Sequence, residues 1–290
     1  MAAGMVLSRA IVRDMVSDSE AASMIGYVTM GMSIVPMIGP VIGGVLDDWI
    51  GWQANFALLL VLGLVVLWLV WADQGETAKM QRVTLTQQIA QYPALLRSQR
   101  FWGYVLCAGF TSGTFFAYLG GAPFVGNVVF GLSSKQIGLL FALTAIGYAA
   151  GNFLAGRFSV RVGLNRMILA GALVVTLGLG GLFLVTLAGV HSPVVFFGFT
   201  MFLGLGNGIT LPNANAGMLS VRPELAGTAS GLGGAIQIGS GALLAALAGA
   251  LLTPGSNEMP LILLMLGCAA CALVAILWVM QRARAIGLTS

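Results

Sequence analysis

The residues able to do chemistry are few, and most stand where chemistry is hard to perform. Cys268 and Cys271 form a C-x-x-C pair, a spacing that suits zinc or thiol redox chemistry in a loop. They lie inside "LGCAACALVAIL", with no histidine or further thiol near them in sequence. There they read as small residues that let helices pack closely. His191 is the single histidine, in a loop with no acidic neighbour nearby in sequence, and reads as solvated. All 9 acidic residues fall at the ends of apolar runs or between them. No intramembrane carboxylate, the usual carrier of proton coupling, is therefore visible. No grouping of nucleophile, base and acid points to an enzyme, and nothing calls for a metal or cofactor. "GLGNG" (204–208) sits within an apolar run rather than after a soluble strand, so it is not a phosphate loop.

What remains is a set of uncharged polar side chains at helical spacing. Tyr104, Thr111, Phe115 and Tyr118 share one helix face, and Thr144, Tyr148 and Asn152 recur every four residues. Asn207, Asn213 and Asn215 flank Pro212, and Gln237 follows Ser230 by seven residues. A polar side chain in hydrocarbon needs a partner, so these faces turn toward protein or water. Two readings stay open: hydrogen bonds between helices, or the lining of a substrate path. The candidates for such a path are Tyr104, Thr111, Phe115, Tyr118, Thr144, Tyr148, Asn152, Asn207, Asn215 and Gln237. The runs 54–72, 167–190 and 260–280 are almost purely aliphatic and read as lipid-facing scaffold.

The elements that carry these faces follow from composition. The chain has 290 residues, 58% hydrophobic and only 8% charged, against about a quarter charged in soluble domains. Apolar runs at 22–46, 54–72, 101–124, 136–156, 167–190, 194–218, 226–252 and 260–280 are each long enough to cross a bilayer. They lack the alternation of barrel strands. The opening "MAAGMVLSRAIVRD" shows no signal-peptide pattern and is too short to span, so it reads as part of a helix. The expected fold is an all-α integral membrane bundle of eight full spans plus a partial first helix.

Charge sets the orientation. Of 13 Lys and Arg residues, only Lys135 falls in the loops of one side. The other side collects the rest and is expected to be cytoplasmic, with the C-terminus. The polar stretch near 73–100 divides the chain into the remainder of an N-terminal bundle (1–72), a cytoplasmic linker (73–100) and a six-helix bundle (101–290). In the linker, Leu85, Ile89, Tyr92 and Leu96 share a face that fits a helix on the membrane surface, interrupted by Pro93. "GMVLSRAIVRD" weakly echoes "GMLSVRPE" (217–224). If the halves are repeats, three more helices are expected upstream.

"MIGPVIGG" (37–44) places helix breakers inside a span. Gly39 and Gly43 form a G-x-x-x-G pair that permits close helix contact, and Pro40 bends the helix. Gly26, Gly39-Pro40 and Gly43-Gly44 resemble the antiporter motif in the fifth helix of major facilitator superfamily drug/proton antiporters, with Val35 replacing one glycine. "GRFSVRVGLNR" (156–166) resembles the second-half copy of that family's loop signature. Gly156, Arg161, Gly163 and Arg166 match, while Val160 replaces the acid. "SRAIVRD", "LPNANAG" and "AGTASGLGGAIQ" are similar to the bicyclomycin-resistance (Bcr/CflA-type) branch.

The resemblance covers nearly the whole chain, as helices four to twelve of twelve. It implies export of small, amphipathic or drug-like compounds across the bacterial inner membrane, in exchange for protons, by alternating access. It gives Gly39, Pro40, Gly43 and Gly44 the role of a close-packed interface between halves that limits proton leak. It also implies a monomer at full length, working in the lipid bilayer with no nucleic-acid partner. Other readings are an inactive fragment, a metabolite importer of the same fold, or a membrane-embedded enzyme.

Overall fold

The computed structural model describes residues 39, 41–73, 93, 95–222 and 225–285. Pro40, the run 22–38, the 1–21 opening and the proposed surface helix at Leu85, Ile89 and Tyr92 lie outside the described residues. After a short helix at 41–49 come α1 (Gln53–Asp73), α2 (Gln99–Phe124), α3 (Ser134–Val162), α4 (Leu164–Leu187), α5 (Pro193–Ser220), α6 (Ala226–Leu251) and α7 (Met259–Ala285). Five further residues, Val125–Val129, continue α2 as a π-helical turn just after Pro123. All 7 are long and apolar enough to cross a membrane, and they coincide with seven of the runs expected from hydropathy.

Local chemistry sets the boundaries. Ser98 caps α2 by accepting a hydrogen bond from the Phe101 amide at 3.3 Å. Ser133 and Gln136 cap α3 reciprocally, each side chain accepting from the other's backbone N–H. Gly163 alone separates α3 from α4, at φ +90°, where a side chain would be strained.

α2 to α7 pack as one bundle. α5 lies between α3 and α4, and α2 lies between α6 and α7 while also touching α5. Its core has two apolar clusters. One gathers Tyr118, Phe141, Phe196, Phe197 and Leu261; the other, nearer the start of α2, gathers Leu95, Phe101, Ile276 and Val279.

The tightest seam joins α3 to α5. A Cβ on Gly147 or Gly151 would overlap the carbonyls of Met201 and Leu205, and one on Gly204 or Gly208 would overlap those of Thr144 and Tyr148. Four glycines at G-x-x-x-G spacing thus bring two backbones into direct contact.

α1 differs: none of its residues is buried. Leu67, Trp68 and Trp71 are 65%, 61% and 83% exposed, which water would penalise and acyl chains do not. An outward apolar surface of this kind is what the scaffold reading expects of α1. α4 and α7, by contrast, bury 39% and 44% of their most apolar stretch against the bundle.

Candidate functional site

The face running along α2 is real, but each of its members meets a different partner. Tyr118 is fully buried. Its hydroxyl accepts from Thr144 of α3 at 3.1 Å, and Thr144 in turn lies 2.6 Å from the Thr200 hydroxyl of α5. Thr200 also donates to the Phe197 carbonyl at 2.8 Å. The Tyr118 ring packs at 4.7 Å on Phe141. This is a satisfied polar knot joining three helices. Phe115 stacks on Tyr148 of α3, with ring centres 6.4 Å apart and planes 17° from parallel. Both rings line a small crevice beside Tyr118 and Thr144.

A second group surrounds the middle of α2. The Asn207 amide donates to the Thr111 carbonyl at 3.1 Å, while its own Oδ1 is buried without a partner. On the opposite side, Gln237 of α6 donates to Ser112 at 2.8 Å. A buried amide oxygen with an open lone pair is a ready acceptor for a water or a ligand donor. Asn207 is accordingly the member of this group with recognition capacity to spare.

Tyr104 stands apart from these. Its hydroxyl donates to Asn165 Oδ1 at 2.7 Å, and its ring fills the space opposite Gly217. It ties the start of α2 to the start of α4. Asn165 lies between Gly163 and Arg166, so the stretch Gly156 to Arg166 is tied to the bundle through Asn165. Arg161 and Arg166 flank the turn and are exposed, and Gly156 meets nothing within 4 Å. Asn152 donates back to the Tyr148 carbonyl at 2.9 Å within its own helix. Asn215 is half-buried, and Asn213, two residues before it on α5, donates to the Ile209 carbonyl at 2.7 Å.

Of the antiporter-type glycines, Gly44 makes the close contact. A Cβ there would lie 2.7 Å from the Ser134 carbonyl oxygen and 3.4 Å from Gly138 Cα on α3. Gly43 meets only the Asn55 side chain, whose amide donates to its carbonyl at 3.2 Å. Gly39 meets nothing within 4 Å. Beside this contact lies a cavity of about 410 Å³, walled by Asp47, Trp52, Asn55, Ser134 and Phe141 among others. Sequence reading did not single out Asp47, because a carboxylate at a span end is ordinarily solvated. Its position one turn beyond Gly43 was the available clue.

One expectation is corrected. His191 is not merely solvated: its Nδ1 lies 2.8 Å from Glu258 Oε1. The two are 67 residues apart in sequence, in loops that only the bundle brings together. Glu258 is 1% exposed, and its second oxygen has no partner. Replacing His191 with Ala would leave a buried carboxylate unpaired, at a cost of about 1–3 kcal/mol. His191→Ala is expected to lower the thermal unfolding midpoint in detergent clearly, and Glu258→Gln to lower it less. Identical midpoints for His191→Ala and wild type would deny the pair any weight.

Comparisons with known proteins agree with this architecture. The family model for the Major Facilitator Superfamily matches residues 1–245 and 130–289. An "Uncharacterized MFS-type transporter YdgK" of Bacillus subtilis is 27% identical over 253 residues, covering 85% of this chain and 62% of its own. A "Bicyclomycin resistance protein homolog" of Haemophilus influenzae is 28% identical over 249 residues, with the same two coverages, 85% and 62%. "Multidrug resistance protein D" of Escherichia coli is 29% identical over 273 residues, covering 91% and 66%. The chain thus spans about three-fifths of the length of these relatives. Among solved structures, a bacterial homologue of the human lysosomal transporter Spinster, inward-facing and occupied, superposes with a TM-score of 0.62 at 17% identity. That superposition covers 96% of this chain and 73% of the other, and shows a shared fold. With its apolar helices and these relatives, several named for drug resistance, the chain belongs to the Major Facilitator Superfamily of membrane transporters.

Proposed function

We propose that the full-length parent of this chain exports small amphipathic compounds across the bacterial inner membrane in exchange for protons, by alternating access. The observation that carries this reading is the contact of Gly44 with the α3 backbone. It sets the antiporter-type stretch against the six-helix bundle, where two halves would have to rock over each other. The names of the relatives, bicyclomycin and multidrug resistance among them, support the drug-like substrate class. In this reading the chain divides at 1–72, 73–100 and 101–290, the C-terminus is cytoplasmic, and the full-length protein works as a monomer in the bilayer.

The polar residues take distinct parts. The Tyr118–Thr144–Thr200 knot is structural. Asn207, with its open carbonyl oxygen, and the Phe115–Tyr148 pair offer the hydrogen bond and the apolar faces that an amphipathic substrate needs. The test is dye efflux from cells expressing this chain or a version extended by in-frame upstream codons, with and without a protonophore. Export by the extended version that stops on adding protonophore is expected; export indifferent to the protonophore would refute proton exchange. In the same background, Asn207→Ala is expected to reorder a panel of substrates with little loss of protein, because only one interhelical hydrogen bond, worth about 1 kcal/mol in a membrane, is removed. An unchanged ranking across the panel would remove Asn207 from the path.

A further inference from the structure

The cavity beside the Gly44 contact carries a carboxylate on its wall. Asp47 stands one turn beyond Gly43 and Gly44, half-buried, and lines that space of about 410 Å³. Among the described residues it enters no ion pair. Lys135 is the only lysine or arginine among them at this end of the bundle, and its exposed side chain does not wall the cavity. The described arginines lie toward the other end, so a cation here meets little competing positive charge.

Two neighbours on the same wall suit a positive ligand. Trp52 meets Phe56 edge-on, with ring centres 5.8 Å apart, and stays 62% exposed. The face of an indole attracts a cation. Asn55 donates its amide N–H to the Gly43 carbonyl at 3.2 Å, which leaves its own carbonyl oxygen as an acceptor beside the cavity. Leu119, Ile137 and Phe141 make the remaining surface apolar. Leu119 and Phe141 also wall the crevice that holds the Phe115–Tyr148 pair, so the two spaces adjoin.

We propose that this cavity binds an organic cation with an apolar body, its charge held by Asp47 and the Trp52 ring and its body against Ile137 and Phe141. The two parts contribute differently. The apolar wall serves a charged and an uncharged compound of one shape equally, so it fixes position without selecting charge. Selection falls to Asp47, whose half-buried carboxylate is screened less than one fully in water. An uncharged compound gains nothing from it, and an anion is repelled. The place of the site in the cycle rests on the export reading: a compound leaving the Phe115–Tyr148 crevice on this side would meet Asp47 next.

The test is equilibrium dialysis of labelled tetraphenylphosphonium against the whole purified chain in a lipid-free, uncharged detergent. Tetraphenylborate, a matched shape of opposite charge, is run beside it, with equal detergent in both chambers. Asp47→Asn is expected to weaken phosphonium binding about fivefold or more without weakening borate binding, and Asp47→Glu to recover most of the loss. Asp48→Asn removes the same charge from the next position, which is exposed and outside the cavity, and should bind as wild type. Wild-type affinity in Asp47→Asn, an equal loss in Asp48→Asn, or no phosphonium binding by the wild type would each overturn the proposal. If Asp47→Asn fails to accumulate, Trp52→Leu answers the same question. It should lose more phosphonium than borate binding, and equal losses would overturn the site. Binding is read here without transport, so a failure of efflux in the extended parent leaves this site standing, and a failure here leaves the export reading standing.

Discussion

Gly204→Leu is expected to disrupt the bundle more than any substitution of an exposed residue. A Cβ at Gly204 overlaps the Thr144 carbonyl and comes within 2.9 Å of the Tyr148 nitrogen, both backbone atoms of α3. No rotamer change relieves a clash with backbone. The helices must separate, and the seam on its other glycines, Gly147, Gly151 and Gly208, opens with them. Ordinary overpacking costs about 1–3 kcal/mol, and loss of a whole interface exceeds that range. Unfolding of the purified protein, followed by heating in detergent, should shift by many degrees or the variant should fail to accumulate. Gly198→Leu, at a site with nothing within 4 Å, serves as the control and should behave as wild type. Equal stability of the two variants would mean that the seam is looser than the contacts imply.

The second large effect concerns transport. Gly44→Leu in the full-length parent is expected to insert normally and to lose most efflux. Its side chain would press on the Ser134 carbonyl and Gly138 on α3, holding apart surfaces that the proposed rocking of the two halves would bring together. Gly39→Leu should be tolerated far better, since nothing lies within 4 Å of that position. The contrast separates contact from composition: both residues belong to the same glycine-rich stretch, but only one is tightly packed. Efflux rates normalised to membrane-inserted protein decide it. Loss of function in both, or in neither, would mean that the Gly44 contact is not what the stretch provides.

Much of the fold was legible because the bilayer imposes length and polarity on every span. The run expected at 194–218 is the helix Pro193–Ser220, and that at 260–280 is Met259–Ala285. The site was less legible, and the reason is physical. Helical periodicity fixes which side chains share a face but not what lies opposite, and a packing partner satisfies a polar group as well as a water-filled path does. Tyr104 and Tyr118 were therefore indistinguishable in sequence. One meets Asn165 at the start of α4, and the other closes a knot with Thr144. The glycines at 147, 151, 204 and 208 carry the same spacing as Gly39 and Gly43, but spacing alone does not say which backbone lies opposite. His191 and Glu258 could not be paired by inspection, since only the folded loops set them side by side.

The order of contacts along the chain bears on how the protein is made. α3 and α4, joined by the single residue Gly163, can enter the membrane together as a hairpin. The end of α2 meets Thr144 only 26 residues later, but its middle has far later partners: Thr111 waits 96 residues for Asn207, and Ser112 waits 125 for Gln237. At a synthesis rate of about 5–20 residues per second, that delay is on the order of 5–25 seconds. During it, the side chains of α2 that end up inside the bundle face lipid or the insertion machinery. Assembly is therefore paced by the ribosome, and α2, the first helix of the bundle to be made, is among the last to be fully enclosed.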